Sequence, residues 1–309
     1  MTETERIINN GILPESFFEP EVRNDFMVTE DRKKLWAVEL DLLLKFDDVC
    51  RKHNLKYFLN SGSLLGAIRH KGFIPWDDDI DVEMPREDYE KLLSFVREFE
   101  VPYFLQTPDM DKNSAYSFAK LHNINTTMSS AMFAFQEMCS GVFIDIFPYD
   151  NWVSSDKASY DVIKYLAYEN STFMRMSNPN LGDNDKLRVE EWSGIDSKIA
   201  NYCIHKIAQK YRNTDTDTII VAVCAIAGYE KKLKYKEDYK EAVMVDFEGF
   251  KFPAPVGYDR ILKNLYGDYM QFPPIEKRGN WHKDVLIDVD MPYKEFLCEY
   301  RSKILNGEQ

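Results

Sequence analysis

The chain has no long apolar run, no paired-cysteine motif and no histidine cluster. Its longest apolar stretch, IIVAVCAIAG at 219–228, is about half the length a bilayer span needs, and reads instead as a buried strand or short core helix. The opening segment MTETERIINNGILPESFFEP lacks the basic-then-apolar order of a secretory leader, so no signal peptide is expected there. Five cysteines (Cys50, Cys139, Cys203, Cys224, Cys298) are scattered, odd in number and without CxxC spacing, a pattern of reduced core thiols rather than a disulfide framework. The five histidines show no HExxH or other zinc spacing. Basic charge is also short: 39 Lys and Arg face 52 Asp and Glu, a net charge of −13. That balance argues against nucleic acid or an anionic membrane as the main partner. A phosphorylated substrate would be repelled too, unless cations intervene.

With 309 residues, 44% of them hydrophobic, the chain can bury a substantial core as one large domain or two. The first thirty residues read as an irregular arm. Leu35, Val38, Leu42, Phe46 and Val49 then recur at steps of three and four, which predicts a helix through LWAVELDLLLKFDDVCRKHNL. Tyr57-Phe58-Leu59 is a short strand, NSGSLLGAIRH a turn entering a helix, and DIDVEM a strand with strict alternation. PREDYEKLLSFVREF opens a helix on Pro85. A second alternating strand is GVFIDIFPYD at 141–150; helices are expected around 156–176 and 190–211, and a hairpin near Glu248-Gly249. The coarse order is α+β: an N-terminal arm at 1–30, a mixed strand-and-helix core at 31–150, and a mostly helical region at 151–309.

The stretch FIPWDDDIDVEM at 73–84 carries the chemistry. In a strand, Asp79, Asp81 and Glu83 share one face, while Ile80, Val82 and Met84 bury the other. FIDIF repeats the device, with Val142, Ile144 and Ile146 pointing one way and Asp145 the other, between Phe143 and Phe147. An aspartate so placed is costly unless paired. If the two strands are neighbours, three carboxylates converge, a donor set for Mg²⁺ or Mn²⁺. A solvated acidic turn is the plainer alternative; alternation with buried-type residues argues against it. An EF-hand loop starting at Asp77 fails because Val82 stands where glycine is required. A phosphatase of the aspartyl-phosphate type should have an apolar strand run before DIDV, where this chain has Trp76-Asp77-Asp78. A DxD sugar transferase remains open. Gly62-Ser63, between a strand and a helix, adds a turn at which backbone N–H groups and a hydroxyl can meet a phosphate.

A Gly-Ser turn, an Asp-x-Asp strand and a later single-Asp strand resemble the nucleotidyltransferase fold. The segments SGSLLGAIRHKGFIPWDDDIDVEMPREDYEKL, SFAKLHNINTT, GVFIDIFPYD and PAPVGYDRILKNLYGDYMQFPP closely resemble the LicD family, to which fukutin-related proteins are similar. They cover most of 57–150 and 247–290. The middle, about 151–240, matches only in spacing. The resemblance implies a nucleotidyltransferase-like mixed β-sheet core flanked by helices, with a substrate- and acceptor-binding C-terminal half. It implies a cytoplasmic enzyme that moves phosphocholine, or a related phospho-alcohol, from a CDP-activated donor such as CDP-choline. The acceptor would be a hydroxyl of a glycan or lipid-linked oligosaccharide precursor (lipopolysaccharide, teichoic acid or capsule), with CMP leaving. A lipid-linked acceptor is compatible with work at the inner membrane face. The competing assignment is a DxD glycosyltransferase using a sugar nucleotide.

Carried over by position, Asp79 and Asp81 would be the metal pair, Asp145 the third carboxylate, Gly62 and Ser63 the phosphate turn, and Asp77 a ligand-supporting acid. Arg69, Lys71 and Lys120 are candidates for phosphate contacts, and Arg278 and His282 for substrate contacts, each weighed against a solvated or structural role. A choline headgroup calls for aromatic faces; Trp76, Tyr258, Tyr266, Tyr269 and Trp281 are the candidates among many aromatics expected in the core. Tyr266-Gly267 reads equally as a helix end with a glycine cap.

Overall fold

The computed structural model describes the chain except residues 108, 109, 112, 225–227, 280–283, 308 and 309. Thr2 and Glu5 close a reciprocal capping box, so the arm begins as a helix, α1 (Glu3–Asn9), rather than as irregular chain. A hairpin of β1 (Glu21–Arg23) and β2 (Phe26–Val28) follows, turning through Asn24 and Asp25 at positive φ. Thr29 then caps the long α2 (Glu30–Lys52), which buries the expected apolar stripe. Next come β3 (Phe58–Leu59), α3 (Ser61–His70), β4 (Asp81–Pro85), α4 (Arg86–Leu92), β5 (Tyr103–Gln106), β6 (Ala119–Asn123), β7 (Thr127–Ser130) and β8 (Val142–Trp152). The second half contributes α5 (Lys157–Arg175), α6 (Asp183–Glu190), α7 (Ser197–Ala208), β9 (Thr218–Ile220), α8 (Tyr229–Lys232), β10 (Leu233–Tyr235), β11 (Ala242–Phe247), β12 (Phe250–Pro255), α9 (Tyr258–Tyr266), β13 (Val285–Asp288) and α10 (Tyr293–Leu305).

One mixed seven-stranded sheet organises the molecule, and β8 is its spine. Along one edge β4 runs parallel to it; along the other, β6 and then β9 pair antiparallel. β3 lies beyond β4, β5 beyond β6 and β10 beyond β9, so the sheet draws strands from both halves of the sequence. The alternation works as the side-chain pattern demands: Ile80, Val82, Met84, Val142, Ile144 and Ile146 are all fully buried. The apolar run at 219–228 supplies β9 and three further buried residues, Val221 to Val223. Two buried ion pairs bind later elements to the core. Arg86 clasps Asp150 with bonds of 2.8 and 2.6 Å, and Glu83 meets Lys234 Nζ at 2.5 Å and the Tyr239 hydroxyl at 2.6 Å. No helix among the described residues is long and apolar enough to cross a membrane.

His122, on β6, is buried between the Gly141 carbonyl at 2.8 Å and the Gln106 side-chain oxygen at 3.1 Å. Burial holds its pKa down at about 3, against 6.5 unfolded. The unfolded chain therefore binds this proton first, and the imidazole's contribution to stability is lost as pH falls below 6.5. We expect the stability gap between wild type and His122→Gln to shrink by about 2 kcal/mol between pH 7 and pH 5. Denaturant titrations at the two pH values measure it; a gap independent of pH would contradict the assignment.

Candidate active site

Register brings the key residues into one row. Asp81 of β4 pairs with Asp145 of β8, and Asp145 pairs on its other side with Lys120 of β6. The two strands are therefore neighbours, with Asp81 and Asp145 in register, but the described carboxylates that lie within 4.8 Å of one another are Asp77, Asp78 and Asp79, a set that includes neither of them. Lys120 Nζ reaches Asp145 Oδ1 at 2.5 Å and rests over the Phe143 ring at 3.5 Å and the Tyr116 ring at 4.5 Å. The aspartate set between phenylalanines is therefore paired, by a lysine whose stem and charge are wrapped in aromatic faces.

Before β4, Asp77, Asp78 and Asp79 each bring a carboxylate oxygen within 4.8 Å of the others. Helix α2 holds this turn: Arg32 Nη1 and Trp36 Nε1 donate to the Asp77 carbonyl at 2.7 and 3.1 Å. Trp36 is stacked in turn on Phe73, which fixes its indole. On the other side, α3 is stitched to β4. Ser63 Oγ accepts from the Asp81 N–H at 2.8 Å, and Asn60, which begins α3, donates its N–H to the Asp81 carbonyl at 3.0 Å. Gly62 is needed because a Cβ there would stand 2.5 Å from Asp77 Oδ2. The small residue thus lets an acid approach the helix entry, where the N–H groups point.

Crowding shows in the electrostatics. Burial, then Asp79 and Asp78, hold the Asp77 carboxyl well above the usual carboxylate range. Burial, then Asp79, Asp145 and Asp77, do the same to Asp81, and Lys232 opposes them. Glu39, fully buried on α2, has neither carboxyl oxygen hydrogen-bonded among the described residues, and burial with Asp79 and Asp78 pushes its pKa far up as well. The cluster favours a bound positive charge, whether proton or cation.

The expected phosphate and headgroup residues are distributed unevenly. Arg69 donates to the carbonyls of Tyr269 at 2.6 Å and Gln271 at 3.1 Å, and to His70. Arg278 donates to the carbonyls of Pro273 and Asn24, both at 2.8 Å, and lies over Trp76 at 5.0 Å. Both arginines therefore tie the 269–278 segment beside the acids. Lys71 caps α3 in the left-handed region and is exposed, its charge acting on Asp246 of the hairpin. Trp76 is buried among Phe26, His70 and Phe272, and Tyr269 is buried with its hydroxyl on Asp259. Tyr258 starts α9 and is half-buried. Tyr266 ends α9, with Gly267 capping at positive φ as the glycine suggested. It remains 42% exposed, and its hydroxyl feels Asp81, Asp77 and Asp79. Among these described aromatics it combines exposure with proximity to the acids. Trp281 and His282 lie outside the described residues.

Comparison with known proteins decides the family. Residues 54–175 match the family model described as LicD/FKTN/FKRP, nucleotidyltransferase domain. The lipopolysaccharide cholinephosphotransferase LicD of Haemophilus influenzae is 31% identical over 256 residues, spanning 79% of this chain and 92% of that protein. The chain belongs to the LicD family. Two shorter matches are uncharacterized proteins of Rickettsia prowazekii, 45% identical over 21% of this chain and 24% of that protein, and Rickettsia typhi, 51% identical over 17% of each.

For a LicD-family protein, the donor chemistry of this site fits a hard divalent cation. Among the described residues the cluster consists of carboxylate oxygens, with neither sulfur nor imidazole in it, crowded enough to favour a positive charge. Sequence patterns missed Asp78, Glu39, Arg32 and Trp36. Their signal was present: positions 32, 36 and 39 follow helical spacing on a face of α2 beside the apolar stripe. Nothing in the sequence says which strand or turn that face meets.

Proposed function

We propose that this protein is a divalent-metal-dependent transferase that moves phosphocholine, or a related phospho-alcohol, from a CDP-linked donor to a hydroxyl of a lipopolysaccharide-type glycan precursor, releasing CMP. The observation that carries this reading is the acid cluster at the end of β4 beside the helix entry at Gly62-Ser63, in a chain that shares 31% identity with a lipopolysaccharide cholinephosphotransferase. Asp79 and Asp81, with Asp145 paired to Asp81 in register, are the residues that would hold Mg²⁺ or Mn²⁺, and Asp77 and Asp78 crowd Asp79 as supporting acids. A bound cation would neutralise the donor diphosphate and stabilise the charge of an in-line transfer.

The chain's own residues supply the rest. Ser63, already accepting from the Asp81 N–H, keeps its hydroxyl proton for a phosphate oxygen. Lys120, paired with Asp145 on the side away from Asp81, fixes the Asp145 carboxylate, which can then orient the acceptor hydroxyl rather than drift toward solvent. Tyr266 offers an aromatic face for a quaternary ammonium. The test is CMP release with Mg²⁺ from CDP-choline, CDP-ethanolamine, CDP-glycerol and CDP-ribitol, with UDP-sugars as the contrast. Release from a CDP-alcohol that EDTA abolishes supports the proposal. Binding of a UDP-sugar with no binding of any CDP-alcohol would replace it with a DxD glycosyltransferase.

A further inference from the structure

Most cations around the acid row are already engaged: Lys120 by Asp145, Lys234 by Glu83, and Arg69 and Arg278 by backbone carbonyls. Lys232 differs. It is half-buried, and among the described residues it makes no hydrogen bond or ion pair. It is the last residue of α8, and Leu233 then turns the chain into extended backbone. Residues on either side of an extended residue share a face. Lys234 uses that face to reach Glu83 at 2.5 Å and the Asn60 side-chain oxygen at 3.1 Å. Glu83 stands two residues beyond Asp81 on β4. Lys232 is thus set one step outward from the Lys234–Glu83 pair, as Asp81 is one step outward from Glu83.

The local electrostatics agree with that placement. Lys232 opposes the upward shift of Asp81, and it acts on Cys224, which also feels Asp81, Asp145 and Lys120. The element that carries it is clipped in position. Asn264 Nδ2 donates to the Glu230 carbonyl at 3.2 Å, and Lys231 Nζ to the Leu265 carbonyl at 3.2 Å, fastening α8 to the end of α9. That end carries Tyr266, so the two adjoining helix ends bring together a lysine and a tyrosine that both interact electrostatically with Asp81.

We propose that Lys232 is a phosphate-contacting residue of this active site, its ammonium binding a non-bridging oxygen of the donor diphosphate at the Asp81 end of the acid row. The proposal rests on the reading of the site as one for a nucleoside diphosphate donor. A lysine that already has a carboxylate partner would give up that bond to take a phosphate; Lys232 has its donors available. The charge it adds is also what an acidic protein needs where a polyanion must enter.

The experiment is calorimetric titration of the full chain with CDP and with CDP-choline at saturating Mg²⁺, comparing wild type, Lys232→Met and Lys232→Arg. Thermal midpoints without ligand are measured alongside. Lys232→Met is expected to weaken both ligands about tenfold or more, and by the same factor, because the lost contact is to phosphate rather than choline. Lys232→Arg should recover most of the affinity, and neither variant should move the midpoint. Wild-type affinity in Lys232→Met would overturn the proposal. So would a loss that tracks a lowered midpoint and is not rescued by arginine, which would make the lysine structural. If wild type ignores CDP and CDP-choline but binds a UDP-sugar, the donor reading fails, and Lys232 is judged by the same comparison on that ligand. If wild type binds no nucleoside diphosphate, both are overturned.

Discussion

Replacing Asp79 and Asp81 together by asparagine should lower CMP release by at least about 100-fold while raising the stability of the metal-free protein. The two effects have one origin. Asp77, Asp78 and Asp79 are crowded within 4.8 Å of one another, and Asp81 carries a raised pKa from burial, Asp79, Asp145 and Asp77. Amides keep the size and shape but remove the repulsion, so folding without metal becomes easier. They also remove the negative charge that would hold a divalent cation against a diphosphate. Steady-state CMP release and thermal midpoints with EDTA read the two effects separately. Lower stability in EDTA would mean that the carboxylates are satisfied structural groups. Unchanged release would remove them from the chemistry.

Lys120→Met should destabilise the fold by about 3–5 kcal/mol, the range for breaking one side of a buried ion pair. The lysine is almost fully buried, and its Asp145 partner lies beside Asp81 in the row. Methionine fills the aromatic sleeve of Phe143 and Tyr116 but leaves the Asp145 charge uncompensated among other acids. Adding Asp145→Asn to Lys120→Met should restore much of the loss, because the unpaired charge is then gone. A double-mutant cycle in urea measures the coupling. Additive effects near zero coupling would show that the 2.5 Å contact contributes nothing, and activity would stay low in the double variant even if stability returned.

Two central strands of the core, β4 and β8, were legible from alternation alone. Ile80, Val82 and Met84 on one strand and Val142, Ile144 and Ile146 on the other had a single plausible face to bury, and they bury it. The helical stripe of α2 was legible for the same reason, and so was the glycine that ends α9. The arm was misread because its capping box is a local polar signal with little apolar periodicity behind it. What periodicity cannot supply is which strands become neighbours, and that is where the site is decided. The parallel pairing of β4 with β8 sets Asp81 opposite Asp145, and β6 brings Lys120 to its other side, although the three residues are far apart in the chain.

By itself, then, the sequence determined the residue types, the faces and the family. It contains an aspartate-rich strand entry, a Gly-Ser turn and a lone aspartate strand, and these alone point to a metal and a phosphate. Only the tertiary structure decided how the charges are shared. It gave Asp145 to Lys120, placed Glu39 near the acids with no hydrogen bond among the described residues, and tied Arg69 and Arg278 to backbone carbonyls. The reason is physical. A side chain's face follows from local backbone geometry, which repeats every few residues, whereas its ion-pair partner follows from long-range packing, for which a single sequence carries no period.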